Sequence, residues 1–459
     1  MGTCGRSWLL VLLAAAETAS ASLPETLSAR RDFWKRRAFY CNNEFPAKRL
    51  EGRPLECDDG DMTLFNGLLC ASGIAEGCRG VADARGADGR WFRSPLRRRR
   101  PWLNGVASFS RDMAMGVMLY LVESRDVDAA RSWMGWIRSN SACLLRNPLG
   151  GACLFRGGRI CPEDHDSCRL SPHLWYLLGL VWQELGLPRD DRMRDELALA
   201  SHRVFVDEVR LTPPGYALHL QAVKGLLLEK LGKHLTQRRA LLQVLMDKQP
   251  DNLFFRRLFF GPVPSLYGDL LDQCPAPGRF SGDLRQWAWE RDTRSRAWRR
   301  SMLWDCLFLL GMMNRDGLPP GRLVVLETRR GGRVRTGPPG RLLHAPLAAG
   351  GQRHVFGLTD LNGGTLEDGD QVHLNSRAGW FLSAPAGGGP VVADRRRPGP
   401  WETFTVVRLA APGGIRSGDG IALRSSARLY LSVDGYGGLL HDGRSSIGSG
   451  ESFRLHFLW

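Results

Sequence analysis

The amino-acid sequence predicts a multidomain protein, in which a mostly α-helical domain is followed by an all-β domain. Helical patterns dominate up to Met313, whereas short alternating strands with many glycines dominate after it. Every cysteine also lies before that point. At 459 residues the chain is long enough for two or three domains. We therefore expect a helical domain over 30–313, a turn-rich linker at 314–321 and a β domain over 318–459.

The first 21 residues have the pattern of a secretory signal peptide. Arg6 supplies a positive charge, Leu9–Ala16 is a short apolar stretch, and Ala19-Ser20-Ala21 has the small residues of a cleavage site. No later run of about 18 uncharged apolar residues follows, so no transmembrane segment is expected. The sequence predicts a secreted, extracellular protein.

Cysteine usage agrees with an oxidising compartment. Of the 11 cysteines, Cys4 leaves with the signal peptide and ten remain, an even number that indicates disulfides in a secreted chain. The simplest arrangement pairs them in order: Cys41–Cys57, Cys70–Cys78, Cys143–Cys153, Cys161–Cys168 and Cys274–Cys306. No CxxC pair exists, so zinc is not favoured, and no metal or other cofactor is expected.

The formal net charge of +16 favours anionic partners. Secretion argues against nucleic acid and favours an acidic polysaccharide, an anionic cell surface or a microbial target. Of these, a polysaccharide or anionic glycan is the expected partner. The run Arg97–Arg100 is compatible with a processing site, a heparin-type patch or a solvated basic loop. Pro101 directly after it would hinder cleavage. The processing of this run and the oligomeric state stay open at this point.

The C-terminal part contains an internal repeat with an offset of 49 residues. Alternating apolar residues in it mark half-buried strands. The matched segments are 369–376 with 418–425, 381–383 with 430–432, and 402–406 with 451–455. This Gly-Asp, Leu-Ser and Glu-x-Phe pattern resembles the β-trefoil repeats of fascin-like domains. The resemblance implies a β-trefoil over 318–459, which would bind sugars or proteins or serve as a packing domain.

The N-terminal part has several stretches that are apolar on nearly every face, as expected for buried helices. The predicted helices cover 62–70, 109–123, 127–139, 172–186, 190–210, 214–232, 236–248 and 283–313. Such a run fits a helical bundle or a two-layered α/α toroid. A tryptophan-rich helical domain joined to a β-trefoil is similar in layout to α/α-toroid glycoside hydrolases and polysaccharide lyases.

Acid/base cleavage of a sugar chain needs two carboxyl groups that face one cleft. The candidates are Asp112, Asp305 and Asp61. Each also has a structural interpretation: Asp61 as a helix N-cap, Asp112 as a first-turn acid that suits the helix dipole, and Asp305 as the partner of an arginine on a neighbouring helix.

Other side chains are candidates for substrate binding. Arg111 and His165 would neutralise or orient acidic groups, and His165 lies between two aspartates in the Cys161–Cys168 loop. That loop is also compatible with a plain surface loop. Aromatic platforms for sugar rings are expected at Trp91, Trp175 and Trp289.

The leading hypothesis is a secreted carbohydrate-active protein whose helical domain cleaves or binds an anionic polysaccharide. If it is an enzyme, we expect a glycoside hydrolase or a polysaccharide lyase. The alternative is a non-enzymatic secreted protein that binds anionic glycans or protein partners. The motifs of α/β serine hydrolases, zincins and nucleotide-binding enzymes are not found.

Overall fold

The helical half of the chain ends at Asp316 and the first strand of the β region begins at Arg322. The computed structural model describes residues 23–50, 53–147, 151, 153–188, 202–232, 235–274, 304–316, 321–337, 342–345, 354–376, 379–385, 388–433 and 440–458. The described helices are α1 Leu23–Arg37, α2 Met62–Ala71, α3 Ala75–Ala82, α4 Pro95–Arg99, α5 Arg111–Ser124, α6 Val127–Ser139, α7 Pro172–Glu184, α8 His202–Leu211, α9 Tyr216–Lys230, α10 Leu235–Lys248, α11 Leu253–Phe260, α12 Pro264–Gln273 and α13 Trp304–Asp316.

Strands form small hairpins in the helical half and one large sheet after it. The hairpin strands are β1 Tyr40–Cys41, β2 Phe45–Pro46, β3 Lys48–Leu50, β4 Arg53–Asp58, β5 Ala142–Arg146 and β6 Cys153–Gly157. The large sheet has β7 Arg322–Thr328, β8 Arg333–Thr336, β9 Leu342–Ala345, β10 Val355–Asp360, β11 Gln371–Ser376, β12 Phe381–Ser383, β13 Gly389–Pro390, β14 Val392–Arg395, β15 Thr403–Arg408, β16 Gly420–Arg424, β17 Tyr430–Val433, β18 Leu440–Arg444 and β19 Phe453–Phe457.

Helices α2, α5 and α7 carry much of the core of the helical half. Every residue of α2 is buried, and α5 is buried from Met113 to Val122. This confirms the expectation that stretches apolar on every face become internal helices. Five described helices were not predicted: α1, α3, α4, α11 and α12. They mix charged and apolar residues or are at most eight residues long, so their periodicity is weak.

The disulfides follow the simplest order along the chain. The five bonded pairs are Cys41–Cys57, Cys70–Cys78, Cys143–Cys153, Cys161–Cys168 and Cys274–Cys306. The sequential pairing is therefore confirmed. Several disulfides are compatible with a secreted protein. Within the described part of the chain, no helix is both long and apolar enough to cross a bilayer.

Six strands of the large sheet close into an antiparallel barrel. Around the ring the order is β7, β10, β11, β15, β16 and β19, and β19 pairs with β7 again. Closure removes the edges of this sheet. The other strands form additional pairs, among them β8 with β9, β12 with β14 and β17 with β18. Apolar side chains such as Phe356, Phe404 and Phe453 fill the centre.

The 49-residue repeat has a structural basis in its turns. Asp370 and Asp419 each accept a hydrogen bond from the backbone amide three residues earlier, at 2.6 and 3.0 Å. Glu402 and Glu451, both buried, do the same at 2.7 and 2.8 Å. The acids recur at the same spacing in both copies of the repeat because these turns need a carboxylate acceptor.

The expectation of a fascin-like β-trefoil is corrected here. The described strands establish a closed six-stranded barrel with extra strands, and this is the architecture that the β region has. Only two copies of the repeat are clear in the sequence, and alternation predicts strands without determining how they close.

The helical half and the barrel meet through aromatic and charged side chains. Arg396 on the barrel lies over the rings of Trp380 and Phe259, at 4.3 and 5.5 Å from their centroids. Its guanidinium is also 3.6 Å from the carboxylate of Asp247 on α10. Helix α12 packs directly against β7 and β10. These contacts join the two regions.

Candidate functional site

Two glycines bring the beginnings of α2 and α5 together. A Cβ atom on Gly67 would lie 2.5 Å from the Cα atom of Gly116, and one on Gly116 would lie 2.6 Å from the Cα atom of Leu64. Only hydrogen atoms fit at this crossing, so the two backbones touch. Asp112 lies one helical turn before Gly116 and therefore on the same face of α5. The crossing thus places Asp112 near Asp61, which directly precedes α2.

Asp61 is at the N-cap position of α2, but its side chain makes no capping hydrogen bond. Its carboxylate instead contacts two cations. Oδ1 accepts from the Arg93 guanidinium at 3.2 Å, and Oδ2 lies 3.9 Å from Nζ of Lys48. The half-exposed carboxylate is therefore held by side chains and not by the helix backbone. Asp61 therefore occupies the N-cap position that its structural interpretation predicted, but its side chain does not cap the helix.

Arg93 is placed by the backbone around it. The amide and hydroxyl of Thr63 in α2 donate to the carbonyls of Arg93 and Phe92, at 3.0 and 2.6 Å. The Arg93 guanidinium donates to the carbonyls of Gly60 and Ala107, at 3.1 and 3.0 Å. The first turn of α2 and the segment before α5 are thereby tied to one arginine beside Asp61.

Asp112 is mostly buried, and within the described part of the chain its carboxyl group has no hydrogen bond or ion pair. Burial raises the pKa of Asp112, and the negative charge of Asp61 raises it further. The positive charges of Lys224, Arg93 and Arg111 oppose this and do not cancel it. Two neighbouring carboxyl groups thus have different environments: one ion-paired, one desolvated. Two carboxyl groups in unlike environments are the arrangement that acid/base catalysis uses.

Lys224 on α9 belongs to a polar cluster that the sequence analysis missed. Its buried ammonium donates to both carboxylate oxygens of Glu208 at 2.9 Å. Glu208 also contacts Gln221 and His173, at 3.1 Å each. Burial alone would raise the pKa of Glu208, but these partners lower it to about 2. The available signal was a glutamine and a lysine three residues apart in the middle of a mostly apolar helix.

A small apolar cleft begins one turn beyond Asp61. The residues that line it come from α2 and α9: Leu64, Phe65, Leu68, Tyr216, His219, Leu220 and Val223. Tyr216 is 56% exposed at its edge. The ammonium of Lys48 lies over the ring of Phe65, 4.7 Å from its centroid, and so connects the cleft to Asp61.

His219 is the polar residue of this cleft, and it is neutral. Burial lowers the pKa of His219 to about 3. Its Nδ1 is 3.0 Å from the carbonyl of Gly215, and its Nε2 is 2.8 Å from the side-chain amide of Asn252. Both ring nitrogens are thus occupied by the protein. The imidazole presents carbon atoms to the cleft and keeps it apolar.

In the described part of the chain, neither Arg111 nor His165 is bonded to the Asp61 carboxylate. The Arg111 guanidinium donates to the carbonyls of Arg169 and Asp166, at 2.8 and 2.7 Å, and so fastens the Cys161–Cys168 loop to α5. His165 is exposed in that loop, with its Nδ1 2.8 Å from the hydroxyl of Ser167. The neighbouring aspartates pair with Arg169 at 3.0 and 3.4 Å. Cys161, Glu163 and Cys168 are clustered, but the disulfide occupies both sulfurs.

The predicted aromatic platforms do not have a common location. Trp91 and Trp175 are buried in the core, where no ring face is open to a sugar, so their assignment as platforms is corrected. Trp289 lies outside the described residues.

Asp305 is the second residue of α13, and its side chain lies outside the described part of the chain. Of the three acids, the structure brings Asp61 and Asp112 together.

Comparisons with known proteins give no family. No protein-family model matches the sequence, and no curated protein is significantly similar to it. Solved structures that match the fold in part include an SDF2-like protein from Arabidopsis thaliana, 10% identical over 29% of this chain and 92% of that one, with a TM-score of 0.26. A Caenorhabditis elegans protein of unknown function is 13% identical over 29% of this chain and 93% of that one, with the same TM-score.

These matches carry no functional argument, and neither of them is a fascin. The expected resemblance to fascin-like domains is corrected by the strand arrangement alone. The layout resemblance to α/α-toroid carbohydrate-active enzymes has no support from them either.

Proposed function

We propose that the helical half is a secreted glycoside hydrolase that acts on an anionic polysaccharide. The observation that carries this proposal is the pairing of Asp112, whose pKa is raised, with Asp61, which is held by two cations. Retaining and inverting glycosidases use two carboxyl groups in different protonation states. In this assignment Asp112, whose charged form burial disfavours, is the acid, and Asp61, which two cations hold, is its partner.

In this mechanism Asp112 donates its proton to the oxygen of the glycosidic bond as that bond breaks. The Asp61 carboxylate then has one of two roles. It attacks the anomeric carbon to give a glycosyl-enzyme, which water hydrolyses with the Asp112 carboxylate as base, or it takes a proton from the water molecule that attacks that carbon. Arg93 holds Asp61 in place through its bonds to the backbone of both helix entries. Separate duties follow from separate environments: Asp112 is desolvated, whereas Asp61 is half-exposed and compensated.

The surroundings support an acidic sugar as the substrate. Lys48 and Arg93 lie at the Asp61 carboxylate, and the net charge of the whole chain is +16. A field of that sign attracts anionic chains. The apolar cleft with Tyr216 at its edge supplies a surface for the less polar face of a sugar ring.

The proposal is tested by a turnover screen with acidic and neutral polysaccharides, using the disulfide-intact protein. We expect release of reducing ends from an acidic polysaccharide, and a rate that falls as salt screens the attraction. Loss of activity in Asp61→Asn, with binding retained, would support the assignment of the acid pair. Binding without turnover would instead favour a non-enzymatic glycan-binding protein.

The pH dependence of turnover should respond to Lys224 and Glu208 in opposite directions. The charge of Lys224 lowers the pKa of Asp112, so Lys224→Met should raise that pKa and move the alkaline limb of kcat/KM to higher pH. Glu208→Gln leaves the charge of Lys224 uncompensated. It should lower the pKa of Asp112 and move the same limb to lower pH.

These two variants form a matched pair because they remove the two halves of one ion pair. The measurement is the pH profile of kcat/KM together with thermal unfolding of each variant. A purely structural role would lower stability in both variants and leave the alkaline limb where it is. Shifts in the same direction would contradict the assignment of Asp112 as the acid.

A further inference from the structure

A basic and apolar loop precedes α5. It is defined by residues 97–106 and begins with the last three residues of α4. Three large apolar side chains in it face solvent: Trp102 is 75% exposed, Val106 76% and Leu103 40%. A Cβ atom on Gly105 would meet nothing within 4 Å. Large exposed apolar side chains that are grouped in this way mark an interaction surface.

This exposure is built into the fold. Ser94 caps the short helix α4, and the hydroxyl of Ser94 also donates to the buried Asp59 carboxylate at 2.7 Å. Arg97 binds that carboxylate with its Nε 3.1 Å from each oxygen, and it also donates to the carbonyl of Leu103. Arg97 therefore ties the loop to the buried carboxylate of Asp59, and the apolar residues stay exposed.

Arginines directly precede the apolar residues in the sequence. Arg98 donates to the carbonyl of Arg85 at 3.1 Å, and Arg100 is exposed. Within the described part of the chain, neither has a carboxylate partner. Arg99 pairs with Glu44 while its side chain remains 42% exposed. The loop thus carries uncompensated positive charge directly beside exposed tryptophan, leucine and valine.

We propose that this loop docks the protein on an anionic lipid surface. Trp102, Leu103 and Val106 enter the boundary between headgroups and acyl chains, and Arg98 and Arg100 contact anionic headgroups. A lipid surface fits better than a glycan because two of the three apolar side chains are aliphatic. In 101–106 a sugar hydroxyl could hydrogen-bond to the side chain of Asn104 and to the indole N–H of Trp102, and to no other side chain. The proposal does not depend on catalysis.

The test is co-sedimentation of the full chain with vesicles of phosphatidylcholine, with or without phosphatidylserine. We expect binding to the mixed vesicles that weakens as salt is added. Arg98→Gln with Arg100→Gln should lower the partition constant about 30-fold, since each arginine near an anionic surface contributes roughly a factor of five. Trp102→Ala with Val106→Ala should lower it at least about tenfold.

Trp401→Ala is the matched control, because Trp401 is an exposed tryptophan, 43% accessible, on the barrel. It should bind vesicles as the unchanged protein does. Equal binding by the loop variants and the control would overturn the proposal. Binding to heparin in place of vesicles would also overturn it and would identify the loop as a glycan contact. Circular dichroism of each variant checks that the exposed substitutions leave the fold intact.

Discussion

Asp112→Asn should fold normally and cleave polysaccharide about a hundredfold to ten-thousandfold more slowly than the unchanged protein. The amide has nearly the shape of the carboxyl group but cannot donate a proton in the same way. In the described structure no hydrogen bond or ion pair of the Asp112 carboxyl group is lost by the change. The expected defect is therefore in kcat, with KM little changed.

Stability provides a second measurement for the same variant. The pKa of Asp112 is raised in the folded state, so ionising it costs free energy as the pH rises through that pKa. Below the pKa in the unfolded chain this cost vanishes. Asp112→Asn removes it, so at neutral pH the variant should be at least as stable as the unchanged protein. Chemical denaturation at acidic and neutral pH measures the difference.

The matched control is Asp128→Asn, because the side chain of Asp128 is almost fully exposed on α6. It should change neither turnover nor stability appreciably. Full activity in Asp112→Asn would remove Asp112 from the site. Loss of both folding and activity would mean that its role is structural.

Gly116→Ala should lower the free energy of unfolding by about 3 kcal/mol, the upper end of the usual cost of overpacking. The added methyl group would collide with the backbone of Thr63 and Leu64, including a distance of 2.6 Å to the Cα atom of Leu64. Backbone atoms of a buried helix cannot move aside as a side-chain end can. Helices α2 and α5 must separate, which would also move Asp112 away from Asp61.

Gly135→Ala in α6 is the control for this effect. A Cβ atom there would meet nothing within 4 Å, and the residue is exposed. Because alanine favours a helix interior over glycine by about 1 kcal/mol, this variant should be slightly more stable. Denaturant unfolding of both proteins makes the comparison. If Gly116→Ala were as stable as Gly135→Ala, the close crossing of α2 and α5 would be contradicted.

Local patterns predicted several features of the molecule well. The even number of cysteines in a secreted context led to the five disulfides that the structure has. Continuous apolar stretches predicted α2, α5 and α7 close to their true bounds. Asp61 and Asp112 were chosen because each begins a buried helix, and they are the two acids found together. Such features depend on neighbours along the chain.

Other features could not be predicted because they depend on residues far apart in sequence. Trp91 and Trp175 look like sugar platforms in the sequence, but packing buries them, while Tyr216 is left exposed. Lys48 reaches Asp61 because β2, just before it in the chain, packs against α3, and α3 packs against α2. The barrel closes through β7 and β19, which begin and end the β region.

By itself, the sequence determined the order of a helical half and a β region, the compartment expected for the chain, the cysteine pairing and the positions of acids at helix starts. These follow from composition and from short-range periodicity. Only the tertiary structure decided which acid is ion-paired and which is desolvated. The physical reason is that a carboxyl group takes its pKa from the charges and the burial around it in space. Those surroundings are assembled from α2, α5, α9 and the Arg93 segment, which meet only in the folded protein.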